Sequence, residues 1–162
     1  MMFQSTAPQG DRKQTYQSAL AQLKSLIEDE PNVIANLSNA SALLKVTLED
    51  INWSGFYLYD GKELVLGPFQ GLPACIRIPL GRGVCGTSAS TQETLLVEDV
   101  HAFPGHIACD AASNSEIVVP IVQDGKLIGV LDIDSPSKGR FDEVEREFLE
   151  KFVDILTQEI KF

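Results

Sequence analysis

The sequence predicts an α/β fold of the α+β kind: one domain with a central antiparallel β-sheet flanked by N-terminal and C-terminal helices. Three observations carry this expectation. Apolar residues recur at helical spacing near the N-terminus, two Asp-Gly steps each separate a pair of strand-like apolar runs, and a capped amphipathic stretch lies near the C-terminus. A chain of 162 residues is an ordinary length for one domain and can bury a substantial core.

Residues 1–14 are polar, carry Pro8 and Gly10, and read as a flexible arm before a single domain over 15–162. Tyr16, Leu20, Leu23 and Ile27 then share a helix face, as do Val33, Leu37, Ala40 and Leu44 after the break at Pro31, so a packed helix pair is expected. Ser54-Gly-Phe-Tyr-Leu-Tyr, Asp60-Gly61 and Leu64-Val-Leu spell a hairpin. Residues 67–114 are rich in Gly, Pro and Ser, with a short strand near Cys75-Ile-Arg-Ile, a short helix after Gly83 and a strand at Thr94-Leu-Leu-Val. Residues 99–113 form the long irregular stretch, of a length that is usually functional or disordered. A second hairpin follows, from Glu116-Ile-Val-Val-Pro-Ile-Val through Asp124-Gly125 to Lys126-Leu-Ile-Gly-Val-Leu-Asp-Ile-Asp. Val144, Phe148, Phe152 and Ile155 define the last helix, begun by Asp142 with Glu145 three residues on, a capping-box spacing.

Bulk properties narrow the function. A net charge of −10 with scattered basic residues disfavours nucleic acid as a partner, and no apolar run is long enough to span a bilayer. The N-terminus lacks the pattern of a secretory signal, so a cytoplasmic location is expected. Three cysteines without that signal argue against a disulfide framework and for free thiols in the reduced state.

The candidate residues each have a plain and a functional reading. Cys109 is either a small buried thiol in a loop or a nucleophile, which would need a nearby cation or helix N-terminus to lower its pKa. Cys85, at the start of the short helix, rivals it on local chemistry, because a helix dipole stabilises a thiolate. Cys75 and Cys85 lie ten residues apart and form no C-x-x-C pair, and with the two histidines they complete no zinc spacing, so no metal is expected. Gly81-Arg-Gly-Val-Cys-Gly86 matches a dinucleotide-binding pattern, and Glu98 and Asp99 fall at a strand end not far below the spacing expected for a ribose ligand. That pattern needs a parallel βαβ unit, which two hairpins and the polar stretch after Gly86 oppose. Glu116, Asp132 and Asp134 fall among Val, Ile and Leu in the second hairpin, where an acid must be exposed, paired or protonated. Trp53 either fills core or offers an aromatic face to a sulfur-bound methyl group.

Taken together and in order, Gly71-Leu-Pro-Ala-Cys75, Gly83-Val-Cys85-Gly, Asp99-Val-His-Ala-Phe-Pro-Gly-His-Ile-Ala-Cys109-Asp, Ser115-Glu116-Ile-Val-Val-Pro120 and Leu131-Asp132-Ile-Asp134-Ser resemble the free methionine-(R)-sulfoxide reductases. These are GAF-domain proteins, and the resemblance extends over about residues 15–160. It implies a GAF-like antiparallel sheet with helices packed on it, Cys109 as nucleophile, Cys75 as resolving thiol and Cys85 as a cysteine that assists or substitutes in disulfide formation. It further implies an acidic pocket of Glu116, Asp132 and Asp134, with Trp53 lining the place of the sulfoxide methyl. The implied chemistry is thiolate attack on the sulfoxide sulfur, a sulfenic acid, and a Cys75–Cys109 disulfide reopened by thioredoxin, with no bound cofactor. GAF domains often pair through terminal helices, so a homodimer is also an expectation. The rival reading is a non-catalytic GAF module that senses a small ligand such as a cyclic nucleotide.

That chemistry sets a condition on strand register. A plain two-residue turn at Asp124-Gly125 with unbroken pairing would put Glu116 opposite Ile133, facing away from both aspartates. A shared acidic face requires either a three-residue loop with Val122 opposite Lys126 and Glu116 opposite Asp132, or an equivalent bulge between Glu116 and Asp132.

Overall fold

The computed structural model describes residues 11–106, 109 and 111–162. Helix α1 (Arg12–Ile27) begins where the Asp11 carboxylate accepts the Lys13 N–H, and it buries Tyr16, Ala19, Leu23 and Ile27. Of the arm expected over 1–14, residues 1–10 lie outside the described residues, and the helix already includes Arg12. Helix α2 (Val33–Thr47) starts after Pro31, capped by Asn32, which accepts the Ala35 N–H. The two helices pack together, and α1 also lies against the last helix.

Between them and the C-terminal helix run β1 (Trp53–Tyr59), β2 (Glu63–Gln70), β3 (Arg77–Pro79), α3 (Gly83–Thr91), β4 (Leu95–Val97), a single 3-10 turn at Val100–Ala102, β5 (Ser115–Gln123) and β6 (Lys126–Ser135). Helix α4 (Glu143–Glu159) follows. The sheet has six strands in the order β3-β2-β1-β6-β5-β4, and every neighbouring pair is antiparallel. This is the α+β arrangement that the hairpins predicted. Among the described residues it leaves no parallel crossover for a dinucleotide site at Gly81-x-Gly83. Gly86 has a packing reason instead, since a Cβ there would lie 2.4 Å from the Pro79 carbonyl oxygen.

Side-chain alternation divides the sheet into two faces. Phe56, Ile117, Val119, Ile121, Leu131 and Ile133 pack against α1, α2 and α4 in the larger core. Trp53, Tyr57, Val118 and Val130 point the other way, where α3 contributes Val84, Cys85 and Ala89. The predicted capping box opens α4: Asp142 accepts the Val144 N–H at 2.9 Å and Glu145 accepts the Asp142 N–H at 3.0 Å. Glu145 is fully buried and also accepts from Tyr16 Oη and Arg12, each at 2.9 Å, so one carboxylate ties α1 to α4.

The hairpins fix the registers, and the second meets its condition through a bulge in place of a three-residue loop. In the first, Tyr59 pairs with Leu64, and Asp60 holds the turn by accepting the Lys62 and Glu63 N–H groups at 2.9 Å. In the second, Gln123 pairs with Lys126, so Asp124-Gly125 is a two-residue turn. Both turn residues have positive φ, the conformation that suits the strand twist. Val122 is opposite Leu127 rather than Lys126, and the register then shifts so that Ile121 pairs with Gly129, leaving Ile128 as the extra residue of a bulge. Beyond the bulge Glu116 sits opposite Asp134, two residues along β6 from the expected Asp132, which faces Val118. A bulge and a three-residue turn each insert one residue, so either restores the parity that brings the three acids to one face.

Candidate active site

The site forms on the sheet face away from the main core. Across the strands, Asp134 lies between Trp53 on β1 and Glu116 on β5, while Asp132 lies between Gly55 and Val118. Gly55 keeps this row open. A Cβ there would fall 2.3 Å from Phe69 Cβ and 2.9 Å from the Trp53 ring, which stacks on Phe69 at a centroid distance of 5.1 Å.

Over the acids lies a cover made of three segments. Helix α3 places Cys85 with its Sγ 3.8 Å from Glu116 Oε2. The segment of residues 71–76 is tied down by Trp53 Nε1–H, which donates to the Leu72 carbonyl at 3.2 Å, and by Tyr57 Oη–H, which donates to the Cys75 carbonyl at 2.9 Å. The long loop supplies Cys109, and Cys75 and Cys109 are joined in a disulfide with Cα atoms 5.3 Å apart. The loop's far end is anchored where Asn52 donates to Ser113 Oγ at 3.1 Å and Asn114 donates its side chain to the Pro136 carbonyl at 2.8 Å. Its near end is held by Asp99, which accepts the His101 N–H at 3.0 Å and pairs with Lys138. These contacts account for Asp99 without a ribose.

All seven residues singled out from the sequence line one pocket or, for Cys75, close its rim. Trp53, Cys85, Cys109, Glu116, Asp132 and Asp134 border it directly, and Cys75 is bonded to Cys109. Tyr57, Arg82, His106 and Ser113 border it too. Tyr57 was within reach of the sequence, because it follows Trp53 and Gly55 at strand spacing and must share their face. Arg82 and Ser113 come from loops whose paths no local pattern reveals.

Electrostatics separate the acids and the thiols. Burial pushes the Glu116 carboxyl well above its usual range, and the neighbouring Asp132 pushes it further. Asp132 is raised in the same way by burial and by Asp134, and its Oδ1 is a buried atom with no hydrogen-bond partner among the described residues. Cys85 does not become the thiolate its helix position suggested. Burial raises its pKa, Asp132, Glu116 and Asp134 raise it further, and it stays a neutral thiol. His106 is lowered by burial and by His101, so it is a neutral imidazole at neutral pH, whereas Arg82 brings a permanent positive charge to the pocket. Cys85, Glu116 and Asp132 have donor atoms within 4.8 Å of one another, close enough for one ion, but all three favour the protonated forms that metals must displace. Among the described residues no helix is long and apolar enough to cross a membrane.

With this geometry in place, the chain can be set beside known proteins. The GAF domain family matches residues 11–160. The chain is 56% identical over 128 residues to the free methionine-R-sulfoxide reductase of Escherichia coli (strain K12), covering 79% of this chain and 78% of that protein. It belongs to the GAF-domain family of free methionine-R-sulfoxide reductases. It is also 58% identical over 158 residues to Protein YtsP of Bacillus subtilis (strain 168), covering 96% of each. An X-ray structure of free methionine-R-sulfoxide reductase from Neisseria meningitidis in complex with its substrate superposes with a TM-score of 0.92 at 45% identity, covering 98% of this chain and 95% of that one. The GAF fold therefore carries, in this member of the reductase family, an acid-lined pocket capped by a disulfide.

Proposed function

We propose that the protein reduces free L-methionine-(R)-sulfoxide to L-methionine in the cytoplasm, drawing two electrons from Cys109 and restoring them through a dithiol such as thioredoxin. The observation that carries this reading is the stacking of Glu116, Asp132 and Asp134 on one sheet face directly beneath the Cys75–Cys109 disulfide. A module that only senses a small ligand has no use for a disulfide at the mouth of its pocket. The substrate of the Neisseria meningitidis relative is bound in a chain of the same fold, which supports the same choice here.

In the reduced state the Cys109 thiolate attacks the sulfoxide sulfur while a protonated carboxyl gives its proton to the sulfoxide oxygen. Oxygen passes to the cysteine, methionine leaves, and Cys109 is left as a sulfenic acid. The Cys75 thiol then attacks that sulfur, releasing water and forming the disulfide, and an external dithiol reopens it without a bound cofactor. Glu116 and Asp132 are the groups whose raised pKa values keep a proton at neutral pH. The negative charge left in the acid cluster holds the substrate ammonium, and the Trp53 ring borders the place of the methyl group. Cys85, held neutral, hydrogen-bonds Glu116 and is a reserve thiol rather than the first nucleophile.

The test uses the separated epimers of free methionine sulfoxide with NADPH, thioredoxin reductase and thioredoxin. Only the R epimer is consumed, Cys109→Ser is inactive, and Cys75→Ser completes a single turnover. Consumption of the S epimer alone, or full activity in Cys109→Ser, overturns the proposal.

A further inference from the structure

The described residues include four large apolar side chains that are strongly exposed: Ile34, Val46, Leu72 and Ile76. Ile34 and Val46 lie on α2, whereas Leu72 and Ile76 flank Cys75, three residues before it and one after. They are 64% and 67% exposed, and they stand beside a disulfide whose two cysteines are both half-buried.

The segment bearing them is not loose. Trp53 Nε1–H holds the Leu72 carbonyl, Tyr57 Oη–H holds the Cys75 carbonyl, and the Leu66 N–H holds the Ile76 carbonyl at 2.8 Å. Three backbone anchors in five residues fix the main chain, yet the two largest side chains next to the cysteine point to water. Apolar side chains carried on a fixed main chain lower the ordering cost of docking a second protein. The occupant is specified by the chemistry beside it, because Leu72 and Ile76 lie three residues before and one after Cys75, a half-buried member of the disulfide.

We infer that Leu72 and Ile76 form the docking surface for a protein dithiol reductant, which attacks Cys75 rather than Cys109. This rests on the redox cycle proposed above. One thiolate of the partner bonds to Cys75 Sγ and the Cys75–Cys109 bond breaks, so Cys109 leaves with the electron pair as a thiolate. The partner's second thiol then attacks its own sulfur in the mixed disulfide, the partner is oxidised, and Cys75 leaves reduced. Attack at Cys75 thus returns the nucleophile in its reactive form.

The oxidised protein and a Leu72→Ser/Ile76→Ser variant are each mixed with reduced thioredoxin or with dithiothreitol, and disulfide opening is followed by alkylation and mass spectrometry. The second-order rate with thioredoxin falls at least tenfold in the variant, while the rate with dithiothreitol, too small to need the surface, changes less than twofold. Unchanged rates with both reductants overturn the docking surface, as does an equal fall with both. A thioredoxin whose second active-site cysteine is replaced by serine is captured on Cys75, and capture on Cys109 overturns the assigned sulfur. The failure of the redox cycle is seen separately, as a disulfide that opens normally in a wild-type protein that does not consume the sulfoxide.

Discussion

Replacing Asp132 by Asn is expected to make the protein more stable at pH 8 than at pH 5, measured against the wild type at each pH. The cause is the proton balance of the acid cluster. Burial and their neighbours raise the pKa of both Glu116 and Asp132 above the values of about 4.3 and 3.9 that the unfolded chain supplies. Above about pH 5 the unfolded state has lost these protons while the folded state still holds them, so stability falls as pH rises toward the folded pKa values. The slope is about 1.4 kcal/mol per pH unit for each group that keeps its proton, or about 2.7 for both. Asp60, Asp99, Asp142 and Glu147 shift the other way, and their contribution is complete above about pH 5 and flat in this window. His106, whose pKa is lowered, adds stability as pH rises through its unfolded value near 6.5, and the comparison between variant and wild type cancels it. Urea unfolding of the disulfide-intact proteins at pH 5, 6, 7 and 8, at constant ionic strength, gives the two curves. The variant loses one group's slope, and Asp132→Asn/Glu116→Gln loses both. A difference between variant and wild type that stays constant from pH 5 to 8 would refute the claim that these acids remain protonated in the folded state.

Two further outcomes follow from the site geometry. Acetylating the amine of the R-sulfoxide removes the charge that the acid cluster is proposed to hold, and an unmatched buried charge costs about 3–5 kcal/mol, so kcat/KM falls by about 100-fold or more; equal kcat/KM for the free and capped substrates would refute that role for the acids. Gly55→Ala forces Phe69 and Trp53 apart, because its Cβ would lie 2.3 Å from Phe69 Cβ, and such overpacking costs about 1–3 kcal/mol; a wild-type urea midpoint and tryptophan emission would show that the stack does not depend on Gly55.

The elements were legible because their signals are local. Asp-Gly steps marked both hairpins, Pro31 separated the first two helices, and the Asp142 and Glu145 spacing marked the start of α4. The Glu116 partner was not legible to the residue. Side-chain patterning fixes which face a strand residue occupies, and one extra residue anywhere between Glu116 and Asp132 satisfies it equally. The structure inserts that residue at Ile128, next to Gly129, and a glycine inside a strand is itself a bulge signal. Cys85 shows the opposite limit. Its position in the first turn of α3 favours a thiolate, but burial and three acids brought from β5 and β6 outweigh a terminal dipole, and those acids are thirty or more residues away in sequence.

The same distinction explains how an ordinary strand pattern becomes a pocket. Leu131-Asp132-Ile133-Asp134 alternates as a half-buried strand does, and read alone it sends both aspartates to water. They are withdrawn from water because other segments cover that face: α3, residues 71–76 and the loop bearing Cys109. Trp53 and Tyr57 tie the second of these to β1 by hydrogen bonds, and the disulfide ties the second to the third. Trp53 is therefore both a wall of the pocket and a tether of its cover. Opening the disulfide removes one tie and leaves the other two, so residues 71–76 stay over the acids while the Cys109 thiol is released. The acid cluster keeps its low-dielectric cover, and with it the raised pKa values that the proposed proton transfer needs, at the stage of the proposed cycle when the substrate would bind.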